Sequence, residues 1–395
     1  MLTTIVREGR AVDVVVALTK RGNTLLLDRD QGKAIFAYRL KRAPVSTVPG
    51  EQTAPYQPVF SLPAPYTAQE FGPDQITDRT DSATRTVRRK LRGATYGLFE
   101  PPRIGGKVAR YSLGGGAEWP GGAIDQRAGI LYVPSSQFPW VIRVEYADIK
   151  ATATSGSDLA GNALYQANCS RCHGTSRRGS AEWAAAGDAY IPSLTGITAV
   201  RSREQLQSTT YFREQHEGVA VGSRVEAATL DTLYRYFLEL DRRSDQQRSF
   251  VFNAFFQTVL DDRGHPGSKT PWGLLTAIDL NTGKMRWQVP FGQRDVGRSD
   301  GATARGLLNT GGVAVTAGGV LFATGTTDDK LRAYDAANGG ELWSYPLPAA
   351  GSTMPTVYAV NGTQYVVVVA TGGILRGFSG RSDRVIAFKL PTSRR

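Results

Sequence analysis

The chain has 395 residues, enough at ~150 per domain for two or three domains with a sizeable core, and 41% are hydrophobic, which excludes wholesale disorder. Gly at 44 and Pro at 20 suit tight turns and short strands and exclude a mainly coiled-coil protein, while two Cys exclude a disulfide scaffold. The net charge of +12 is spread from Arg7 to Arg395 with no basic tract, which implies a solvated surface suited to an acidic partner and no nucleic-acid interface. No run approaches the ~18 apolar residues of a membrane span. The opening MLTTIVREGRAVDVVV lacks the apolar stretch and cleavage site of a signal peptide.

In chain order, the first recurring element is LLLDRDQGKAIFAY at 25–38, which returns as LTAIDLNTGKMRWQV at 275–289 and LRAYDAANGGELWSY at 331–345. Each copy runs strand, Asp, four-residue step to Gly, four-residue step to an aromatic: Asp28/Gly32/Phe36, Asp279/Gly283/Trp287 and Asp335/Gly339/Trp343, with a weaker copy from Gly121 to Val133. Alternating apolar residues give a half-buried strand, Asp and Gly close a turn that needs positive φ, and the aromatic packs between neighbouring sheets. Such an array predicts the blades of a β-propeller. Segment 41–68, with six Pro from Pro44 to Pro65, is expected to be an ordered surface connection.

The texture then changes. Segment 158–168 has helical spacing, and 226–240 places Leu230, Leu233, Tyr234, Phe237 and Leu238 on one face. β repeats resume near Ser249. The expected architecture is mainly β: propeller blades over 1–150 and 249–392, with a small all-α unit inserted at 156–243.

Within that unit, Cys169-Ser170-Arg171-Cys172-His173 is C-x-x-C-H, the signature of covalent haem c attachment. Each thiol adds to a haem vinyl group, and His173 supplies an axial imidazole from the same turn. A dithiol redox motif would sit near a βαβ pattern, which is absent, and a zinc site needs about four ligands, which two Cys and three distant His supply poorly. The segment resembles the class I cytochrome c family through Gly161, Tyr165, Cys169–Gly174, Pro192-Ser193-Leu194 and Leu233–Leu238. That family places a Met ligand before its last helix; here Gly218–Ser223 contains none. Three outcomes stay open: His216 as sixth ligand, an open or water-bound iron, or a decayed site. Loss of Met implies a lowered haem potential.

Thr19-Lys20-Arg21-Gly22-Asn23, Val48-Pro49-Gly50-Glu51-Gln52, Gly115-Gly116-Ala117-Glu118-Trp119, Pro271-Trp272-Gly273 and the segment from Thr316 to Asp335 resemble pyrroloquinoline quinone (PQQ)-dependent dehydrogenases, most closely their glucose-dehydrogenase-like branch. The resemblance implies an eight-bladed propeller with PQQ on Ca²⁺ or a similar cation, oxidising an alcohol or aldose. It assigns Lys20 to polarise the quinone carbonyl, Thr310 and Asp328 to the cofactor's surroundings, and Trp119 either to the axis or to the packing of a blade. Asp328 reads equally well as a turn cap and Lys20 also as an exposed turn residue. The family's catalytic Asp has no counterpart, and the cation ligands fall largely outside this chain.

These features together imply the C-terminal portion of a periplasmic quinoprotein dehydrogenase. Its partners would be an N-terminal propeller half bearing the export signal, a small alcohol or sugar substrate, and an electron acceptor beyond the haem. The alternative is a non-catalytic electron-transfer cytochrome on a propeller scaffold.

Overall fold

The computed structural model describes residues 1–48, 51, 53–111, 116–117, 120–148, 159–175, 177, 179, 191–216, 225–245, 250–295, 303–373 and 379–389. Strands β1 (Leu2–Arg7), β2 (Arg10–Leu18) and β3 (Thr24–Asp28) form an antiparallel sheet. Next, β4 (Tyr38–Arg42) and β5 (Tyr56–Phe60) form a two-stranded ribbon in which Pro58 faces Leu40. An edge tolerates a residue without an N–H, so the Pro-rich connection is part strand.

Helix α1 (Asp81–Lys90) precedes β6 (Ala94–Thr95), β7 (Lys107–Tyr111), β8 (Ala123–Asp125), β9 (Ile130–Ser136) and β10 (Pro139–Asp148). Helices α2 (Leu159–Asn168), α3 (Ser170–His173), α4 (Ile197–Val200), α5 (Arg203–Gln207), α6 (Thr209–Gln215) and α7 (Ala227–Asp245) follow. The chain then returns to strands: β11 (Phe250–Thr258), β12 (Gly273–Asp279), β13 (Met285–Pro290), β14 (Gln293–Asp295) and β15 (Thr303–Arg305). The last group is β16 (Val313–Val315), β17 (Val320–Ala323), β18 (Lys330–Asp335), β19 (Glu341–Pro346), β20 (Thr356–Val360), β21 (Thr363–Ala370) and β22 (Arg384–Lys389). Besides the first sheet, the strands order as β6-β7-β10-β11, β8-β9-β12-β13, β16-β17-β18-β19 and β20-β21-β22, with β14-β15 a second ribbon.

Apolar faces stack these sheets in series. Ile5, Val14, Val16 and Leu26 of the first sheet meet Leu131, Val133 and Ile278 of the β8–β13 sheet. Ile130, Tyr132 and Leu275 on that sheet's other face meet Val313, Leu321 and Tyr334 of the β16–β19 sheet. Leu331 then meets Val366, Val368 and Ala370 of the last sheet. Leu131, Leu275, Leu321 and Leu331 are fully buried, each such side chain stabilising the stack by roughly 1.5–3 kcal/mol.

The repeated turn sets the spacing. Gly32, Gly129, Gly283 and Gly339 donate their N–H to the carbonyls of Asp28, Asp125, Asp279 and Asp335 at 2.7–2.9 Å. Each Asp Oδ1 accepts an N–H from two residues further on. The four Gly have φ of 67°, 67°, 73° and 75°, the left-handed region. Two of them also receive a neighbour's aromatic ring: a Cβ on Gly283 would lie 2.9 Å from Phe36, and one on Gly339 would lie 2.8 Å from Trp287. Trp287 Nε1–H donates to the Ala336 carbonyl at 3.0 Å. The aromatic of one repeat thus lies on the turn of the next. The return strand expected after every turn forms in the later copies as β13 and β19. After the first, only a Leu27–Ala34 bridge forms.

The helices lie between β10 and β11, which pair with each other along Trp140–Asp148 and Phe250–Thr258. The six helices among the described residues therefore depart from and return to adjacent strands of one sheet. α2 and α7 cross where Gly161 meets Tyr236; a Cβ there would stand 2.4 Å from the Tyr236 Cβ. Tyr165, Cys169, Leu233, Tyr236 and Phe237 form the core of this unit.

The charge is less evenly spread than expected. Arg85, Arg88, Arg89 and Arg92, on α1 and just beyond it, line one cavity of about 650 Å³ with Ser82 and Thr86. These cations also fall within eight residues of sequence, Arg85 to Arg92, so α1 is a basic helix and corrects the expectation of no basic tract.

Replacing Gly339 with Ala is expected to destabilise the chain by about 1–3 kcal/mol through positive φ and the Trp287 clash together. Gly319→Ala, whose Gly has φ 78° with nothing within 4 Å of an added Cβ, carries the φ cost alone. Urea midpoints of the two variants measure the ring contact as their difference.

Candidate functional site

Two groups of candidate residues occupy different places. The first is built around α3. Cys169 is the residue before α3, and its carbonyl accepts the N–H of Cys172 at 3.1 Å and of His173 at 2.8 Å. The five-residue motif is one helical turn, so both sulfurs and the imidazole arise from a single rigid piece of backbone. Cys169 is buried and Cys172 exposed; both are free thiols. Burial pushes the Cys169 thiol up to about 11, with Cys172 beside it adding to the effect.

His173 is only 7% exposed, and its Nδ1 lies 2.8 Å from the Pro192 carbonyl. Burial holds its pKa below the ordinary value, and the Pro192 contact opposes this. A carbonyl only accepts, so Nδ1 carries the proton and Nε2 presents its lone pair. Tyr165 Oη–H donates to the Gly174 carbonyl at 2.6 Å and ties the turn to α2. His216, the residue after α6, stands with its ring centre 6.1 Å from that of His173. Its Nδ1 is 2.8 Å from the Phe212 carbonyl, and the Phe212 ring stacks on it at 4.1 Å.

Two polar contacts that the sequence does not announce hold this unit together. The Arg177 guanidinium donates to Asp241 Oδ1 on α7 at 2.9 Å, and both side chains are buried. Asp241 also accepts the N–H of Gly196 and Thr198. The Ser193 N–H, beside Pro192, donates to Glu145 Oε2 on β10 at 2.6 Å. Burial raises Glu145 from 4.5 to about 7; its Ser193 hydrogen bond, Arg143 and Arg201 counter that rise.

The second group lies at the end of the sheets opposite the Asp–Gly turns, since Ser136 pairs with Gly273 and Ile130 with Asp279. Lys20 is exposed in the β2–β3 turn, where Thr19 and Asn23 bond through their side chains at 2.8 Å. A Cβ on Gly116 would lie 2.4 Å from the Lys20 carbonyl, so that Gly allows the two loops to touch. Gly116 pairs with Ser136, whose Oγ–H donates to the Asn309 carbonyl at 3.1 Å. The next residue is Thr310. The buried Thr310 Oγ1 and Asn309 Oδ1 have no hydrogen-bond partner. Lys20 and Thr310 thus share one end of the sheets, linked through Gly116, Ser136 and Asn309.

Asp328 is engaged otherwise. It forms a buried ion pair with Arg332 four residues on, accepts from Thr326, and accepts the Gln293 N–H at 3.0 Å. Burial works to raise its pKa, but Arg332, Thr326 and Gln293 together hold it below the ordinary value. It keeps its charge and anchors a loop. Trp119 and Gly218–Ser223 lie outside the described residues.

The donor sets fit the two implied groups unequally. Haem iron has four equatorial nitrogens of its own and asks the protein for two thiols and axial imidazole nitrogen, which the first group supplies. For PQQ, the Lys20 ammonium and two unpartnered buried oxygens offer polar partners. Its cation finds no cluster of three or more His, Cys, Asp or Glu side chains among the described residues. No helix among them is long and apolar enough to cross a membrane.

Comparison with known proteins adds a family. The model described as "PQQ: Glucose/ethanol/alcohol dehydrogenase, beta-propeller domain" matches residues 1–184 and 175–366. Similar proteins include the glycerol dehydrogenase large subunit of Gluconobacter oxydans, 26% identical over 394 residues, covering 98% of this chain and 44% of that protein. The quinoprotein glucose dehydrogenase of Escherichia coli is 25% identical over 397 residues, covering 99% and 40%. The quinate/shikimate dehydrogenase (quinone) of Acinetobacter baylyi is 40% identical over 134 residues, covering 32% and 16%. The chain therefore spans less than half the length of these relatives.

The raised Glu145 pKa has a defined sign. Between pH 4.5 and about 7 the folded chain keeps a proton that the unfolded chain releases, so stability from this group is full below 4.5 and lost by about 7. Glu145→Gln keeps an acceptor for the Ser193 N–H and removes the titration. It should flatten that part of the stability–pH curve by on the order of 2 kcal/mol, measured by urea unfolding at pH 5 and pH 8; an unchanged slope contradicts the assignment.

Proposed function

Because the chain belongs to the PQQ-dependent glucose/ethanol/alcohol dehydrogenase β-propeller family, we propose that it is one arc of the propeller of a periplasmic quinoprotein dehydrogenase that also carries a covalent haem c. The observation that carries the haem assignment is the single turn presenting Cys169, Cys172 and the Nε2 of the buried His173. The unit at 156–243 is then a cytochrome c insert, and the blades at 1–150 and 249–392 are its scaffold.

PQQ, when bound, supplies a two-electron quinone that oxidises an alcohol or aldose carbon. Lys20 would place a positive charge where negative charge develops on reduction. Thr310 Oγ1 and Asn309 Oδ1 would orient the bound group by hydrogen bonding, and the cation with most of its ligands would come from further blades. The ion pair with Arg332 lowers the basicity of Asp328, which argues against it as a general base. On the haem side, Cys169 and Cys172 would hold the group through thioethers, and His173, fixed by the Pro192 carbonyl, would supply an imidazole ligand. A haem held there would supply one-electron transfer toward an acceptor beyond this chain.

Further blades have seats at both ends of the stack. Leu2 and Val6 are 60% and 59% exposed on the first sheet, and Val385 is 67% exposed on the last. Apolar faces at the ends of a blade series are the natural contacts of the next blade. A second function, electron transfer without catalysis, is favoured by the engagement of Asp328 with Arg332 and by the lack of a cation cluster among the described residues.

Export of the chain in a haem c-competent host should give one covalent haem per chain, seen as haem stain on a denaturing gel. Cys169→Ser with Cys172→Ser should abolish it, and a colourless wild-type chain would refute the assignment. Titration of PQQ followed by absorbance separates the two functions. Saturable binding weakened about tenfold or more by Lys20→Ala supports the dehydrogenase, whereas no binding, even with the remaining blades added, supports the electron-transfer protein.

A further inference from the structure

We infer that His216 is the second axial ligand, so that the haem iron is closed by two histidines, His173 and His216; the inference rests on the haem reading above. The first argument is chemical. Both rings hold Nδ1 at 2.8 Å from a backbone carbonyl, Pro192 for His173 and Phe212 for His216. Each Nδ1 must therefore donate to its carbonyl, which leaves Nε2 of each ring as the nitrogen able to meet a metal.

The second argument is distance. An imidazole nitrogen bonds a metal at about 2 Å, and the ring centre lies about 1 Å behind that nitrogen. Two imidazoles on opposite sides of one ion therefore put their centres about 6 Å apart. The observed separation is 6.1 Å, with ring planes 65° apart and so not stacked. Two nitrogens alone make a poor site for a free ion, which would need about four protein ligands. They suffice for an iron whose other four ligands come from the porphyrin.

The third argument is positional. Phe212 accepts from the His216 Nδ1–H and covers one ring face at 4.1 Å, so the side chain is held rather than left to solvent. No methionine occurs between Met1 and Met285; Met285 and Met354 belong to the β region and are exposed.

An iron closed on both sides is six-coordinate and low-spin, passes electrons and admits no external ligand. Its potential lies below that of a His/Met pair, since Met ligation raises it. The test uses the full chain carrying covalent haem. The wild type should be low-spin, by electron paramagnetic resonance in the ferric state and by absorbance in both states, and its ferrous form should not bind carbon monoxide. His216→Ala should become high-spin and bind carbon monoxide, with added imidazole restoring the low-spin spectrum. His216→Met should stay six-coordinate, gain sulfur–iron absorption and shift to higher potential. Immediate carbon monoxide binding by the wild type, or a low-spin His216→Ala protein without added imidazole, overturns the His216 assignment while leaving covalent haem intact. A chain without covalent haem, or one holding zinc at the cysteines, overturns both assignments.

Discussion

The contact on which the stack depends is an aromatic ring lying against a glycine of the next turn. Phe36 covers Gly283 and Trp287 covers Gly339, where any side chain would collide with the ring. The same Gly adopts the positive φ that closes its own turn. One residue type therefore answers two demands at once, a left-handed backbone and an absent Cβ. The Trp287 indole N–H bond to Ala336 adds direction to a contact that dispersion alone would leave free to slide. With turns locked in this way, the inner strands bring their leucines into register across neighbouring sheets.

That rigidity has a consequence for the helical unit. β10 and β11 stay paired over nine residues although the helices intervene between them. The insertion closes on itself and leaves the ladder unbroken. Its attachment is polar: Ser193 N–H to Glu145 Oε2, and Arg201 to the Gly105 carbonyl at 2.8 Å. The first of these is adjacent to Pro192, which orients His173. The sheet and the imidazole are thus connected through two consecutive residues, and a buried carboxyl raised to about 7 sits at the junction.

Much of this was legible in the residues. The D-x-x-x-G-x-x-x-aromatic copies marked the turns, the switch from period two to period 3.6 marked α2 and α7, and C-x-x-C-H marked one helical turn. These signals are local, because a turn type or a helix face is set by residues within one or two turns of each other. The Asp328–Arg332 pair was hidden by its spacing, which in a strand and its leading turn gives no sign of contact. The basic residues of α1 were already clustered in the sequence, with Arg88-Arg89-Lys90 consecutive, so the expectation of no basic tract misread local residues rather than missing a hidden relation. The Arg177–Asp241 pair spans 64 residues and carries no motif.

The sequence by itself determined the repeated turns, the return strands of the later copies and the residue types near Cys169, since all follow from short-range sterics and chemistry. Only the tertiary structure decided that Phe36 and Trp287 lie on the following turns, that Lys20 shares one end of the sheets with Thr310, and that His216 comes within 6.1 Å of His173. Those relations join residues tens to hundreds of positions apart. They depend on how apolar faces pack, which no local pattern specifies, because the same face can be buried against many partners and only the assembled core selects one.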